Sequence, residues 1–395
     1  MTVSELTVAS LFSGCGGFDL GFEAEGFRPT AAFDISRAVV DSYNRNVAPV
    51  ARACDLSAET PSISSDVLLA GSPCQGFSTA GKRDLADPRN DLLIRAGEIA
   101  LASKPRVFIL ENVPAAISGR HGTRWEKVEA MLTCAGYRVS RVTAEGPTSG
   151  VAQLRKRLFL VAWKGNEVRC DLPDAPAPDL ASCLSSVEGL QGHDPIILPI
   201  GSKERAIAGR IRPGQKLCNV RVSDAAVATW DIPEVFGPVS TAEAEVLRAI
   251  VRLRRRDRRR DFGDADPVLP SKVCDFLGRC CERELSSLIA IGYLRWIDEF
   301  IDLTHTYNGK FRRLAFGSPS PTVDTHFGNP SLFLHPSEHR GMTPREAARI
   351  QGFSDTFELP GSRSQAFRMI GNAVPPPMGA KLARFVRSAL LGAAI

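Results

Sequence analysis

The sequence predicts an α/β protein built on a parallel sheet and interrupted by a smaller domain. Two observations carry this. Between residues 7 and about 165, short apolar runs alternate with helix-like stretches, the pattern of strands joined by crossover helices. Composition then shifts. Pro173, Pro176 and Pro178 lie among Asp and Ala and read as a linker, and α/β character returns only from Pro319. At 395 residues the chain has room for a substantial core and two domains.

The elements follow in order. Leu6-Thr7-Val8-Ala9-Ser10-Leu11-Phe12 is the first strand and enters the turn Ser13-Gly14-Cys15-Gly16-Gly17-Phe18, after which a helix runs to Gly26. Thr30-Ala31-Ala32-Phe33 is a second strand ending at Asp34, and a third unit ends at Asp55. Asp66-Val67-Leu68-Leu69-Ala70 reads as a buried strand leading into Gly71-Ser72-Pro73-Cys74-Gln75-Gly76-Phe77-Ser78. Val107-Phe108-Ile109-Leu110 leads into Glu111-Asn112-Val113. A thiol and a carboxyl thus stand at the carboxyl ends of two core strands, where an open α/β sheet keeps its chemistry. A thiolate attacks electron-poor carbon, and a nearby carboxylic acid can protonate the ring that it attacks. Either residue alone reads better as a loop cysteine or a strand-end acid; the two together point to chemistry.

Residues 240–315 have the pattern of a small module. Ser240 and Glu243 form a capping box before a helix whose Val246, Leu247, Ile250 and Leu253 share one face. Its end is basic, from Arg252 through Arg260. An apolar segment at 273–277 and a helix from Glu282 to Ile291 follow, then two strands expected to flank an Asn308-Gly309 turn. Three helices and a hairpin are the order of a winged helix-turn-helix.

Charge and cysteine content limit the function classes. A net charge of +5 permits an anionic partner without demanding one. The first residues lack a signal-peptide pattern, and no apolar run reaches membrane-spanning length, so a cytoplasmic protein is expected. The ten cysteines include no Cys-x-x-Cys and the six histidines no zinc spacing, which argues against a metal site. Cys280 and Cys281 are expected to be packing residues. The glycine turn with Asp34 twenty residues beyond Gly14 is a weak nucleotide-site signal. It fits a tight strand–helix turn or a nicotinamide enzyme as well.

Six segments occur in order: Leu11-Phe12-Ser13-Gly14-Cys15-Gly16-Gly17, Pro73-Cys74-Gln75, Glu111-Asn112-Val113, Gln153-Leu154-Arg155-Lys156-Arg157, Thr343-Pro344-Arg345-Glu346-Ala347-Ala348-Arg349 and Gly371-Asn372-Ala373-Val374. Together they resemble the signature set of the cytosine-C5 DNA methyltransferases, over residues 7–165 and 316–390. The resemblance implies a Rossmann-like class I methyltransferase domain from 1–170 and 316–395. Its last segment would fold back on the first, with a target-recognition region at 171–315 between them.

The resemblance further implies S-adenosylmethionine as cofactor and double-stranded DNA as substrate, with the target cytosine flipped from the duplex. Cys74 would attack C6, Glu111 would hold the N3/N4 edge, and Arg155 and Arg157 would hold the O2 edge. Phe12, Gly14, Cys15 and Gly17 would line the methionine part of the cofactor. Asp34, with Ile35 beside it, would take the ribose, and Asp55 with Leu56 would frame the adenine. Pro73 would form the floor, and Asn372 and Val374 would close the pocket. Gln75 and Ser78 would open a catalytic loop on the DNA.

In the recognition region, the expected DNA contacts are Arg254 and Arg255 of the basic helix end, Arg283, Ser286 and Ser287 of the last helix, and Lys310, Arg312 and Arg313 of the wing. A monomer in the bacterial cytoplasm, at the nucleoid, with a cognate restriction endonuclease encoded nearby, completes the expectation. Two departures stand out. The family often has Asp before Leu-Phe where this chain has Ser10, and usually Glu where it has Asp34. The rival functions are an RNA cytosine methyltransferase, a catalytically silent DNA-binding protein and a nicotinamide oxidoreductase. Intact Cys74, Glu111, Arg155 and Arg157 oppose the second, and the Pro-Cys and Gly-Asn-Ala-Val segments are unexplained by the third.

Overall fold

The computed structural model describes residues 5–73, 87–117, 122–170, 172–221, 223–256 and 265–390. Cys74, Gln75 and Ser78, and the arginines at 258–260, lie outside them. The chain divides into two compact units. The first comprises residues 1–194, 317–326 and 343–395; the second, 195–316 and 327–342.

The first unit is organised by a seven-stranded sheet in the order β3-β2-β1-β4-β5-β7-β6. Its strands are β1 (Leu6–Leu11), β2 (Phe27–Asp34), β3 (Ala51–Ala53), β4 (Val67–Gly71), β5 (Val107–Asn112), β6 (Arg138–Glu145) and β7 (Lys156–Trp163). The first five are mutually parallel, and β7 runs antiparallel between β5 and β6. The central strands are continuous apolar runs because both faces are covered.

Period-two alternation divides those side chains between two layers. Leu68, Ala70, Phe108 and Leu110 pack with Leu93, Ala96 and Ile99 of a helix at Leu92–Ser103 and with Trp125 and Val128 of a second at Gly122–Cys134. On the other face, Val67, Leu69, Val107 and Ile109 join Phe18 and Phe22 of helix α1 (Gly17–Glu23) and Met378, Leu382 and Phe385 of the helix Pro376–Phe385. These two helices touch through backbone. A Cβ at Gly21 would stand 2.4 Å from the Pro376 carbonyl, so only glycine lets the carboxy-terminal helix dock here.

The second unit has two apolar clusters. One joins the helices Thr241–Arg256, Pro270–Leu277 and Glu282–Ala290 with an antiparallel hairpin, Leu294–Ile297 and Phe300–Leu303. The capping box is present: the Glu243 amide donates to Ser240 Oγ at 3.2 Å, and the Ser240 amide to Glu243 Oε2 at 2.7 Å. The other cluster surrounds Ile207, Leu217, Phe311 and Leu334.

Three expectations are corrected here. The hairpin turns at Asp298-Glu299, not at Asn308-Gly309. Gly309, at φ +89°, instead makes an irregularity in a strand whose Asn308 and Lys310 pair with Cys218 and Leu217. The linker does not divide the units, because the first extends to residue 194. There the Arg349 guanidinium donates to the Ser185 and Ser186 carbonyls, and the Arg345 amide to the Gly192 carbonyl. Residues 327–342 join the second unit, where the short strand Phe333–Leu334 pairs with Arg312–Arg313. Of the adjacent cysteines, Cys281 is buried and Cys280 is exposed. Among the described residues, no helix is long and apolar enough to cross a membrane and no group could hold a metal ion.

Candidate active site

The carboxyl ends of β1, β4 and β5 converge on an open cleft in the first unit. It is lined by the Leu11–Gly14 turn, Gly17, Gly71 and Glu111, and by Asn372, Ala373 and Val374 from the far end of the chain. The turn is held in an unusual shape. Phe12 has φ +52° and Gly14 +56°, the Ser13 amide donates to the Phe33 carbonyl at 3.0 Å, and the Gly14 amide donates to Asp34 Oδ2 at 3.1 Å. Close approach explains Gly17, while Gly71 has room for a side chain. A Cβ on Gly17 would meet the Val374 carbonyl at 2.4 Å, and one on Gly71 would lie 3.4 Å from the Phe12 carbonyl.

Glu111 ends β5 beside Gly71 in register, and its Oε1 lies 2.7 Å from Arg157 Nε of β7. Both side chains are nearly buried, at 11% and 12% exposure, so this pair is little screened by solvent. Burial raises the Glu111 carboxyl above its ordinary value, while Arg157 and then Arg155 pull it back. Asn112 braces the neighbouring strand end. Its Nδ2 donates to the Ser72 carbonyl at 3.3 Å and to Ser72 Oγ at 3.1 Å, fixing the backbone that leads into Pro73.

Arg155 is elsewhere. It is fully buried, and its guanidinium donates to the carbonyls of Val323 (2.9 Å), Gly371 (3.0 Å) and Ala373 (2.8 Å). It therefore clamps the returning carboxy-terminal segment, whereas Arg157 pairs with Glu111. Gln153 does related work, donating to Gln351 Oε1 at 2.7 Å and accepting from the Val323 amide at 2.9 Å. The Thr343 segment is likewise architectural: Arg345 is buried and donates to the carbonyls of Gln191, Ser354 and Phe357.

The expected cofactor residues fall into three groups. Phe12, Gly14, Gly17, Asn372 and Val374 line the cleft. Asp34 braces the turn, accepting also from the Ser36 amide at 2.9 Å, and Ile35 beside it stands 72% exposed. Asp55 is exposed and accepts from Ser57, whose hydrogen bonds hold its carboxyl below the ordinary range.

Cys15 and Leu56 depart from expectation. The Cys15 thiol turns inward toward the Met369 carbonyl (3.7 Å), and burial pushes it up to about 12. Leu56 is buried in the core beneath the sheet edge. Sequence reasoning missed Asp19 and Ser10, both buried and both lining the cleft. The available signal was an acid on α1 between Phe18 and Phe22, which face the core.

In the second unit Arg254 is turned inward, its Nε 2.6 Å from Asp302, and Arg313 is buried against the carbonyls of Ala208, Ile211, His335 and Glu338. Long basic side chains that find carbonyl or carboxylate partners in the core are unavailable to phosphate. Ser287 donates to Glu243 at 2.6 Å. Arg255, Arg283, Ser286 and Lys310 are exposed, and Arg312 is half-buried.

Comparison with known proteins adds an independent line. The family described as C-5 cytosine-specific DNA methylase matches residues 6–189 and 282–387. The chain is similar to the type II methyltransferase M.AgeI of Thalassovita gelatinovora, with 28% identity covering 96% of this chain and 99% of that one. It is also similar to type II methyltransferase M.HgiCII of Herpetosiphon aurantiacus, at 28% identity and 93% coverage of each. The methyltransferase EhMeth of Entamoeba histolytica shares the fold, with a TM-score of 0.55, 14% identity, and coverage of 98% of this chain and 99% of that one.

Proposed function

This chain belongs to the family of C-5 cytosine-specific DNA methylases, and from that premise we propose how its own residues carry out the reaction. It is a DNA cytosine-5-methyltransferase that uses S-adenosylmethionine. The cleft fits that group: a hollow at the β1–α1 turn lined by Gly14, Gly17 and Gly71, with the returning Asn372–Val374 segment packed against Gly17. When bound, the cofactor supplies an electrophilic methyl carbon. Phe12, Gly14, Gly17, Asn372 and Val374 would wall it, Pro73 would close the floor, and Asp34, Ile35 and Asp55 would meet its nucleoside end.

The observation that carries the mechanism is the Glu111–Arg157 pair at the cleft, one strand over from the segment that delivers Cys74. Cys74 as thiolate attacks C6 of a cytosine flipped out of the duplex, and electron density moves to C5. Glu111, whose acidity burial has weakened, shares a proton with N3 and so stabilises that density. Arg157 keeps the carboxyl from losing its place and meets the polar edge of the ring. After methyl transfer the C5 proton passes to solvent and the C6–S bond breaks, restoring the C5–C6 double bond and releasing Cys74 as thiolate.

For DNA reading, we infer that the three helices and hairpin of the second unit act as a winged helix. Arg255, Arg283, Ser286, Lys310 and Arg312 would reach the DNA, and Gln75 and Ser78 would do so from the loop after Cys74. The type II names of the relatives support a restriction-modification role, with a cognate endonuclease as partner.

The covalent step has a direct test. On DNA carrying 5-fluorocytosine at the target position, elimination is blocked, because fluorine cannot leave C5 as a proton does. The wild-type chain with S-adenosylmethionine should form a DNA adduct stable to denaturing gel electrophoresis, and Cys74→Ser should form none. An adduct that persists in Cys74→Ser would remove Cys74 from the mechanism.

A further inference from the structure

The floor of the cleft holds a carboxyl group that the mechanism above does not use. Asp19, on the first turn of α1, is fully buried, and its Oδ1 accepts from the Tyr43 hydroxyl at 2.9 Å. Its Oδ2 has no partner in good hydrogen-bonding geometry, nor does the Oγ of Ser10, which is 2% exposed at the end of β1 and close enough to the carboxyl to lower it. Both residues line the cleft. A carboxylate oxygen and a hydroxyl that are buried, unsatisfied and adjacent to a hollow are costly unless a ligand group completes them.

We propose that Asp19, with Ser10, forms the counter-charge for the ammonium group at the methionine end of the cofactor. This rests on the reading that the cleft holds S-adenosylmethionine. The chemistry is selective. An ammonium is the one cationic hydrogen-bond donor that the methionine end offers, and a carboxylate in a weakly solvated site attracts it far more strongly than it would in water. Tyr43, on the helix Arg37–Asn46, fixes the carboxyl by occupying the other oxygen, and so acts as a positioning residue. Burial pushes Asp19 up to about 7 against the pull of the Tyr43 and Ser10 hydroxyls, with Glu23 on the same helix raising it slightly further. Tyr43 stays protonated, since burial and Asp19 both raise it, and the Cys15 thiol in the turn does so too. Burial also raises Glu111, which lines the same cleft, and Asp34, which braces its turn, so the comparison with Asp19→Asn assigns any pH dependence to Asp19.

Calorimetric binding of S-adenosylhomocysteine and of its desamino analogue isolates the ammonium. Asp19→Asn, which keeps the shape and the Tyr43 contact, should weaken the amino acid ligand at least about tenfold and the desamino analogue less than about twofold. The exchange variant Ser10→Asp/Asp19→Ser, nearly neutral in volume, should restore tight binding of the amino acid ligand. In the wild type, affinity for that ligand should rise with pH between about 6 and 8 as Asp19 ionises, and this dependence should vanish in Asp19→Asn. Equal losses for both ligands would make Asp19 a prop for the turn and overturn the proposal, as would no loss for either. Failure of the wild type to bind either ligand would instead refute the reading of the cleft itself.

Discussion

Exchange of Glu111 for Gln should slow methyl transfer by about 10^2- to 10^4-fold, the range that one general acid contributes, while cofactor binding stays within about twofold. The substitution preserves shape but removes the proton that Glu111 shares with the cytosine ring. It also leaves Arg157 without its partner at 2.7 Å. Single-turnover methylation of a DNA duplex, paired with calorimetric binding of the cofactor, separates the two effects. The carboxyl is raised by burial, so its neutral form persists to higher pH than that of an exposed glutamate. Stability from this group is fully present below the unfolded carboxyl value. It declines as pH rises through the folded one, and Arg157 limits the decline. A Gln variant within tenfold of wild-type rate would remove Glu111 from the chemistry.

The two arginines of the Gln153 segment should part company under substitution. Arg155→Ala should destabilise the protein by about 3 kcal/mol or more, since it strands the carbonyls of Val323, Gly371 and Ala373 in a buried setting at roughly 1–3 kcal/mol each. Arg155→Lys should recover only part of this, because a single ammonium cannot present the planar fork that reaches three acceptors. Arg157→Lys should cost less stability than Arg155→Lys, because one ammonium can still face the one carboxyl of Glu111, yet slow methyl transfer. Chemical denaturation beside single-turnover rates gives both readouts. Equal destabilisation by the two Lys variants would contradict the division of labour between clamp and site.

That division was not legible in the sequence. Arg155 and Arg157 are two residues apart on a strand, which places them on one face by alternation. The strand, however, begins at Lys156, so the alternation does not extend to Arg155, whose backbone carbonyl instead accepts from the Gly146 amide at 2.7 Å. The parallel sheet was readable because its central strands are unbroken apolar runs, and the convergence of Gly71 and Glu111 followed from strand ends. The hairpin was misplaced because an Asn-Gly pair signals positive φ, which a strand irregularity satisfies as well as a turn. Arg254 and Arg313 read as surface charge because composition cannot reveal a buried carboxylate or a ring of carbonyls waiting for them. Asp19 was overlooked because a lone acid beside aromatic core residues has no period and no motif; only the hollow next to it gives it meaning.

The central claim, that this chain methylates cytosine C5 in DNA through Cys74, is tested most directly in a bacterial host free of cytosine methylation. DNA from cells expressing the wild-type chain, and from cells expressing Cys74→Ala, would be treated with bisulfite and sequenced. The account predicts cytosines protected from conversion within one recurring sequence context in the first sample and none in the second. Unprotected DNA from cells that contain folded, cofactor-binding wild-type protein, or equal protection in the Cys74→Ala sample, would contradict it.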